Sequence, residues 1–210
     1  MSKIQEISAA VEYGKMKAVA GLVEEALAEG IPAEDILNKG MIEAMSSVGE
    51  KFKSGEIYVP EMLVAARTMK KGIEVLTPTL KSRGVEPIGK LIIGTVEGDL
   101  HDIGKNLVAM MIEGAGFEVI DLGVEVSPDK FIEALKENPD VKIVALSALL
   151  TTTMPIMKEA INAIKASGLN SKAKIMIGGA PITQAFANEI GADGYAGDAA
   201  SAAVLAKSFI

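Results

Sequence analysis

The side chains of this sequence best suited to chemistry are an aspartate and a histidine separated by one residue, Asp99 and His101. They follow a short apolar run, residues 91–96, and precede a helical pattern that starts near Lys105. Alternate side chains of an extended chain point to the same side, so the carboxylate can orient one ring nitrogen and leave the other for a ligand. His101 is the single histidine of the chain, and a lone histidine usually has no chemistry. Its interpretation therefore depends on its neighbours in the fold.

Two other loops carry unusual residues. A row of hydroxyl side chains runs from Ser147 through Thr151 to Thr153 directly after the third apolar run of this region, and the pair Gly178-Gly179 ends the fourth run. Each loop also has a plain structural explanation, because threonines cap helices and glycine pairs make strand-to-helix turns. The three loops together are more informative than any one of them.

The second part of the chain alternates short apolar runs with longer amphipathic stretches, which is typical of a parallel sheet covered by helices on both faces. Five strands favour an α/β flavodoxin-like (Rossmann-like) sheet of order 2-1-3-4-5, in which ligands bind beyond the carboxyl ends of strands one and three. All three loops are expected at that edge. The runs span residues 91–96, 118–122, 143–147, 175–177 and 194–196, and the helices start near Lys105, Pro128, Pro155, Pro181 and Ala199.

The first part of the chain has apolar residues at spacings of three and four, which predicts an all-α four-helix bundle. The helices are expected over residues 4–12, 15–29 and 33–52, with the fourth starting after Pro60 and ending before Pro78. A stretch rich in breakers, residues 82–89, separates the two patterns. We therefore expect a helical domain over residues 1–88 and an α/β domain over residues 89–210.

Composition excludes several classes of function. The absence of cysteine excludes disulfides, iron–sulfur clusters and thiolate zinc sites. A net charge of -7 and few aromatic residues argue against a nucleic-acid partner. We find no apolar run long enough to span a membrane and no targeting pattern at the N-terminus. The sequence predicts a cytoplasmic protein with neither nucleic acid nor membrane as a partner.

The pattern Asp99-x-His101-x-x-Gly104, followed by Ser147-x-Leu149 and by Gly178-Gly179, resembles the cobalamin-binding module of methyltransferases. Residues 98–106 are similar to the form found in cobalamin-dependent methionine synthase and in the small corrinoid proteins of methanogens and acetogens. The resemblance covers nearly the whole chain, because those carriers also have an N-terminal domain of four helices.

The resemblance implies a role for each matching residue. His101 is expected to be the lower axial ligand of cobalt, with Asp99 hydrogen-bonded to its other ring nitrogen. Thr153 stands where methionine synthase has a serine that extends this relay. The displaced nucleotide tail of the corrinoid is expected in a slot beside Ser147 and the glycine pair. Further expected cofactor contacts are Asp102, Gly104, Leu149 and Thr151, together with Tyr58 and Met62 of the helical domain.

The function implied by the resemblance is that of a methyl carrier, a subunit without catalytic residues of its own. Its cofactor would be cobalamin or a related corrinoid, cycling between methylcobalamin and the Co(I) form. Its expected partners are a substrate-specific methyltransferase, a second methyltransferase that passes the methyl group to coenzyme M or tetrahydrofolate, and a reductive activation protein. The sequence does not name the methyl donor.

Two alternatives share the same signature. The cobalamin subunit of an adenosylcobalamin-dependent mutase has these motifs, although the N-terminal helices argue against it because no helical cap is expected there. A B12-based sensor with the same two domains would need a DNA-binding segment, and no helix-turn-helix or basic stretch precedes Ile4.

Overall fold

The computed structural model describes residues 1–210, apart from the side chains of Lys81 and Asn170. The chain forms two compact units. One consists of residues 1–87 with 114–116, and the other of residues 88–113 with 117–210. No helix among the described residues is both long enough and apolar enough to cross a membrane.

The first unit is helical, as its periodicity predicts. Its first helix begins with a capping box between Ser2 and Gln5, and the helix of residues 43–54 ends at Gly55, whose left-handed φ of 78° only glycine adopts without strain. Four methionines at helical spacing are buried core residues: Met41, Met45, Met62 and Met69. The segments are α1 (Lys3–Glu12), α2 (Met16–Ala28), α3 (Ala33–Asp35), a π-helix (Ile36–Ile42), α4 (Glu43–Ser54) and α5 (Val59–Ser82).

Two details of the predicted bundle are wrong. The third predicted helix is interrupted by the π-helical segment Ile36–Ile42, where the consecutive residues Gly40 and Met41 are both buried. The fourth helix does not end before Pro78 but continues through it to Ser82. Pro78 is exposed, whereas Leu76 and Leu80 on either side of it are buried. Burial of these leucines offsets the single backbone hydrogen bond that proline removes.

The second unit is a five-stranded parallel sheet with the strand order β2-β1-β3-β4-β5, as expected. Strands and helices alternate, and α9 begins at Gln184 rather than near Pro181 because Thr183 provides the N-cap hydrogen bond. The elements are β1 (Lys90–Thr95), α6 (Ile103–Gly114), β2 (Glu118–Asp121), α7 (Pro128–Glu137), β3 (Val141–Ser147), α8 (Met154–Ala166), β4 (Lys174–Gly178), α9 (Gln184–Ile190), β5 (Gly194–Ala196) and α10 (Ala199–Lys207), with short 3₁₀ turns at Thr151–Thr153 and Leu169–Ser171.

The strands end in register at the carboxyl edge of the sheet. Thr95 is paired with Ser147, Ser147 with Gly178, and Gly178 with Ala196. The loops that follow β1, β3 and β4 therefore leave the sheet at one level. Apolar side chains fill the centre of the sheet and fix this register, among them Ile92, Val144 and Ile175.

Candidate functional site

The loop after β1 brings Asp99 and His101 into direct contact. Nδ1 of His101 lies 2.7 Å from Oδ1 of Asp99, and the backbone N–H of His101 donates to the same oxygen at 3.0 Å. The two side chains differ in exposure, since that of Asp99 is fully buried and that of His101 is 52% exposed. One face of the pair is thus fixed inside the protein and the other is open to a ligand.

The second oxygen of Asp99 binds the loop after β3. Oδ2 accepts from the backbone N–H of Leu149 at 2.7 Å, from that of Leu150 at 3.2 Å and from the hydroxyl of Thr153 at 3.1 Å. The hydroxyl of Thr153 thus contacts Asp99, and its role in a relay to a cofactor stays a prediction. A single carboxylate joins the loops of two neighbouring strands.

The hydrogen bonds around Asp99 decide its charge. Burial alone raises the pKa of the carboxyl, but donation from Leu149, His101 and Leu150 outweighs it and lowers the pKa to about 2. Asp99 is therefore ionised at neutral pH and can only accept hydrogen bonds. Nδ1 of His101 must be the donor in their contact, which leaves the lone pair of the neutral ring on Nε2. The geometry leaves Nε2 available to accept a hydrogen bond or to coordinate a metal ion.

Two residues that the sequence analysis did not single out hold the loop of His101. The buried hydroxyl of Thr95 donates to the carbonyl of His101 at 2.9 Å. The side chain of Glu125, in the loop after β2, accepts from the N–H of Gly98 at 2.9 Å. A hydroxyl at the end of an apolar strand is a sequence signal that could have identified Thr95. Glu125 has no such signal, because its role depends on a backbone conformation.

Apolar side chains are exposed in the same two loops and at the start of α6. Leu100 is 70% exposed, Ile103 79%, Leu149 43% and Leu150 38%. Beside them, a Cβ atom at Gly104 would meet nothing within 4 Å apart from its chain neighbours and the backbone of its own helix. One available nitrogen, flanking apolar side chains and open space fit a flat macrocycle that brings the remaining ligands of its metal. The sequence analysis named Leu149 as an expected cofactor contact and did not name Leu100, Ile103 or Leu150, which stand out only once their exposure is known.

The glycine pair lies where β3, β4 and β5 end. A Cβ atom at Gly178 would lie 3.0 Å from the carbonyl oxygen of Ala196, and one at Gly179 only 1.8 Å from that of Ala148. Gly179 also has a φ of 128°. Close backbone packing is therefore enough to require glycine here, and a role in holding a nucleotide tail beside the half-buried Ser147 stays a prediction.

The remaining predicted residues lie in different places. Asp102 is exposed and accepts from the side-chain amide of Asn106 at 3.0 Å, and Thr151 is exposed in the 3₁₀ turn after β3. Tyr58 and Met62 belong to the helical unit. Tyr58 is 69% exposed and its backbone carbonyl accepts from the N–H of Met62, which is fully buried. Tyr58 thus stands at the entry to α5.

Comparisons with known proteins agree on one family. Residues 89–205 and residues 3–77 each match a family described as a B12 binding domain. Dimethylamine corrinoid protein 3 of Methanosarcina acetivorans is 42% identical over 207 residues, which cover 99% of this chain and 96% of that protein.

Two solved structures are similar as well. The crystal structure of a cobalamin-binding protein from Desulfitobacterium hafniense superposes with a TM-score of 0.84 at 31% identity and covers 100% of both chains. A chain of the methanol:cobalamin methyltransferase complex of Methanosarcina barkeri superposes with a TM-score of 0.86 at 27% identity, over 98% of this chain and 78% of that one.

Proposed function

The chain belongs to the family of B12-binding corrinoid proteins, and from this premise we propose that it carries a methyl group on a bound corrinoid between two methyltransferases. The observation that carries the proposal is the contact of His101 with Asp99, which leaves Nε2 of an exposed imidazole as one nitrogen ligand. The bound corrinoid supplies a cobalt centre that accepts and releases the methyl group. His101 would hold that centre through Nε2, and the residues around Asp99 would position the imidazole.

The lower ligand acts together with its hydrogen-bond partners. His101 offers Nε2 to the cobalt, and Asp99 holds Nδ1–H in the orientation that this requires. Without a metal on it, Nε2 of His101 could take a proton, and the ionised carboxylate of Asp99 would stabilise the resulting positive charge. Thr153 and the amides of Leu149 and Leu150 keep the carboxylate in place throughout.

The other predicted site residues are proposed to contact the cofactor. Ser147, Gly178 and Gly179 would line the slot for the nucleotide tail, at the register level where β3 meets β4. Around the corrin, the proposed contacts are Asp102, Gly104, Leu149 and Thr151 in the α/β unit, and Tyr58 and Met62 in the helical unit.

The methyl donor is proposed to be a methylated amine. The relative that matches 42% of residues over nearly the full length is named a dimethylamine corrinoid protein, whereas the structure from a methanol system is 27% identical. A substrate-specific methyltransferase would deliver the methyl group and a second one would remove it to coenzyme M or tetrahydrofolate. A reductive activation protein would restore the reduced cobalt after accidental oxidation.

The proposal is tested with protein loaded with corrinoid and reduced. It is incubated with the methyltransferase encoded beside it and, in separate reactions, with mono-, di- or trimethylamine, methanol or a methyl thiol. We expect methyl–cobalt absorbance with one of the amines. Methylation by another donor alone would contradict the amine assignment, and uptake of an adenosyl group in place of methyl would favour a mutase subunit.

The ligand role of His101 is tested separately. The variant His101→Ala is expected to lose the corrinoid or to hold it without a nitrogen ligand from the protein, which changes the visible spectrum. The control is Lys136→Ala, an exposed change in the last turn of α7, which should keep the wild-type spectrum. An unchanged spectrum in His101→Ala would contradict the assignment.

A further inference from the structure

Glu125 has an unusual backbone conformation. With a φ of 55°, it is the one non-glycine residue with a positive φ in the part of the chain that the structure describes. The left-handed region is unfavourable for residues with a Cβ atom, so the surrounding structure must hold Glu125 there. Strained residues of this kind often mark functional sites, and this one lies in the loop between β2 and α7, beside the loop of His101.

Two hydrogen bonds from Glu125 enclose the dipeptide Gly98-Asp99. Its side-chain Oε1 accepts from the N–H of Gly98 at 2.9 Å, and its own backbone N–H donates to the carbonyl of Asp99 at 3.2 Å. One residue thus holds the donor at the start of the dipeptide and the acceptor at its end. Gly98 itself has a φ of 83°, so both sides of this contact adopt left-handed backbone.

The other hydrogen bonds that the structure shows between the two loops join backbone groups. The backbone N–H of Thr95 donates to the carbonyl of Gly123, that of Val126 to the carbonyl of Thr95, and that of Glu97 to the carbonyl of Val126, all at 3.0 Å. These bonds extend the sheet beyond β1 and β2, and no side-chain substitution removes them. Of the hydrogen bonds between the two loops, only the one accepted by the carboxylate of Glu125 can be removed by a side-chain substitution. Its loss should release Gly98 without unfolding the sheet.

We propose that Glu125 is a positioning residue that fixes Gly98-Asp99 so that the carboxylate of Asp99 meets its hydrogen-bond donors and holds His101 for cobalt. The inference rests on the proposed function of His101 as the cobalt ligand. Asp99 accepts from His101, Leu149, Leu150 and Thr153 at the same time. Such an arrangement tolerates a displacement of only about 0.5 Å. A hydrogen bond that holds the preceding residue, Gly98, therefore helps to keep the carboxylate of Asp99 within reach of its donors.

The first test uses hydrogen exchange of the protein without corrinoid. Three variants separate the effect of the lost hydrogen bond from that of backbone strain on amide exchange. Glu125→Gln keeps an acceptor oxygen, Glu125→Ala removes it, and Glu125→Gly removes it while also relieving the left-handed strain. Glu133→Ala, an exposed change on α7 with the same loss of charge, is the matched control. The amides followed are those of Gly98, Leu149 and Leu150, with amides of β4 as the reference for global unfolding.

We expect exchange at Gly98, Leu149 and Leu150 to become about tenfold faster in Glu125→Ala and Glu125→Gly, the change for one lost hydrogen bond. Glu125→Gln and Glu133→Ala should stay within about twofold of the wild type, because the acceptor oxygen or the contact is kept. Unchanged exchange at Leu149 and Leu150 in Glu125→Ala would overturn the proposal. Equal acceleration in β4 would also overturn it, because the role would then be general stability.

The second test measures how much of the cobalt carries a protein nitrogen, from the visible and electron paramagnetic resonance spectra of protein loaded with corrinoid. Glu125→Ala should lower this fraction relative to Glu125→Gln, and His101→Ala serves as the reference without a ligand. If His101→Ala keeps the wild-type spectrum, the proposed ligand role fails while the exchange result still stands. If His101→Ala loses the signal but Glu125→Ala keeps it in full, the positioning role fails alone.

Discussion

The hydroxyl of Thr153 lies 3.1 Å from Oδ2 of Asp99, although 54 residues of chain separate the two. The same hydroxyl lies 2.9 Å from the carbonyl of Leu150, so its one hydrogen is shared between two acceptors. Both Asp99 and Thr153 are buried. The contact therefore ties the loop of His101 to the loop after β3 at a point from which water is excluded.

Removing this hydroxyl should cost more stability than shortening the side chain. In Thr153→Val, Oδ2 of Asp99 and the carbonyl of Leu150 lose the donor that they share, which predicts a loss of about 1–3 kcal/mol in the free energy of unfolding. Thr153→Ser keeps the hydroxyl and loses a methyl group, so the loss should be about 1 kcal/mol. Chemical denaturation of the two variants checks the difference, and equal losses would contradict a role for the hydroxyl.

The charge of Asp99 should appear in the dependence of stability on pH. Its folded pKa of about 2 lies below the ordinary value of 3.8. The carboxylate therefore contributes stability that is fully present above that ordinary value and is lost as the pH falls through about 2. Asp99→Asn removes this contribution. Both carboxylate oxygens accept hydrogen bonds, so the NH₂ group of an asparagine would face donors whichever way its amide is turned.

The measurement is the free energy of unfolding of both proteins from pH 7 down to pH 2. We expect the wild type to be more stable than Asp99→Asn by about 1–3 kcal/mol at neutral pH, with the difference shrinking below about pH 4. A difference that stays constant with pH would show that the carboxylate charge contributes nothing.

The order of the sheet was predictable because buried parallel strands form continuous apolar runs, and the crossover rules leave few topologies for five of them. The contact of Asp99 with His101 was predictable for a similarly local reason, since the two residues are two positions apart in extended chain and their side chains point to the same side. The strand order places the loop of Thr153 at the same edge of the sheet, but its contact with Asp99 was expected only through the resemblance to a family. Nothing in the local sequence pairs a threonine with an aspartate 54 residues away.

Two other features, the backbone conformation of Glu125 and the continuation of α5 through Pro78, depend on tertiary contacts and could not be predicted from the local sequence. The left-handed conformation of Glu125 is imposed by its contact with Gly98 and Asp99, and a glutamate gives no local signal for it. The path of α5 through Pro78 depends on burial of Leu76 and Leu80, which outweighs the local preference of proline to end a helix.

That path of α5 predicts a stabilising substitution. Because Pro78 is exposed inside a helix, Pro78→Ala should restore a hydrogen bond to the carbonyl of Glu74 and raise the free energy of unfolding by about 1–3 kcal/mol. Pro87→Ala, an exposed change outside the helices, is the control and should give no gain, since it only increases the freedom of the unfolded chain. Thermal unfolding of both variants gives the comparison, and a destabilised Pro78→Ala would contradict a continuous helix.

A substitution at Gly104 can test cofactor binding without disturbing the fold. Gly104 lies in the first turn of α6, and Gly21 lies within α2; both are exposed, and at both a Cβ atom would meet nothing within 4 Å. Leucine favours helices over glycine by up to about 1 kcal/mol. Gly104→Leu and Gly21→Leu should therefore leave the protein without corrinoid as stable as the wild type, or slightly more so.

The two variants should differ only when corrinoid is added. If the space beside Gly104 receives the corrin, the leucine side chain there occupies part of it, and Gly104→Leu should bind corrinoid at least about tenfold more weakly than the wild type, which corresponds to a loss of about 1.4 kcal/mol. Gly21→Leu should bind with wild-type affinity. Titration with corrinoid, followed by absorbance, measures both. Wild-type binding by a folded Gly104→Leu would remove Gly104 from the site, whereas weakened binding with unchanged stability assigns its open space to the cofactor.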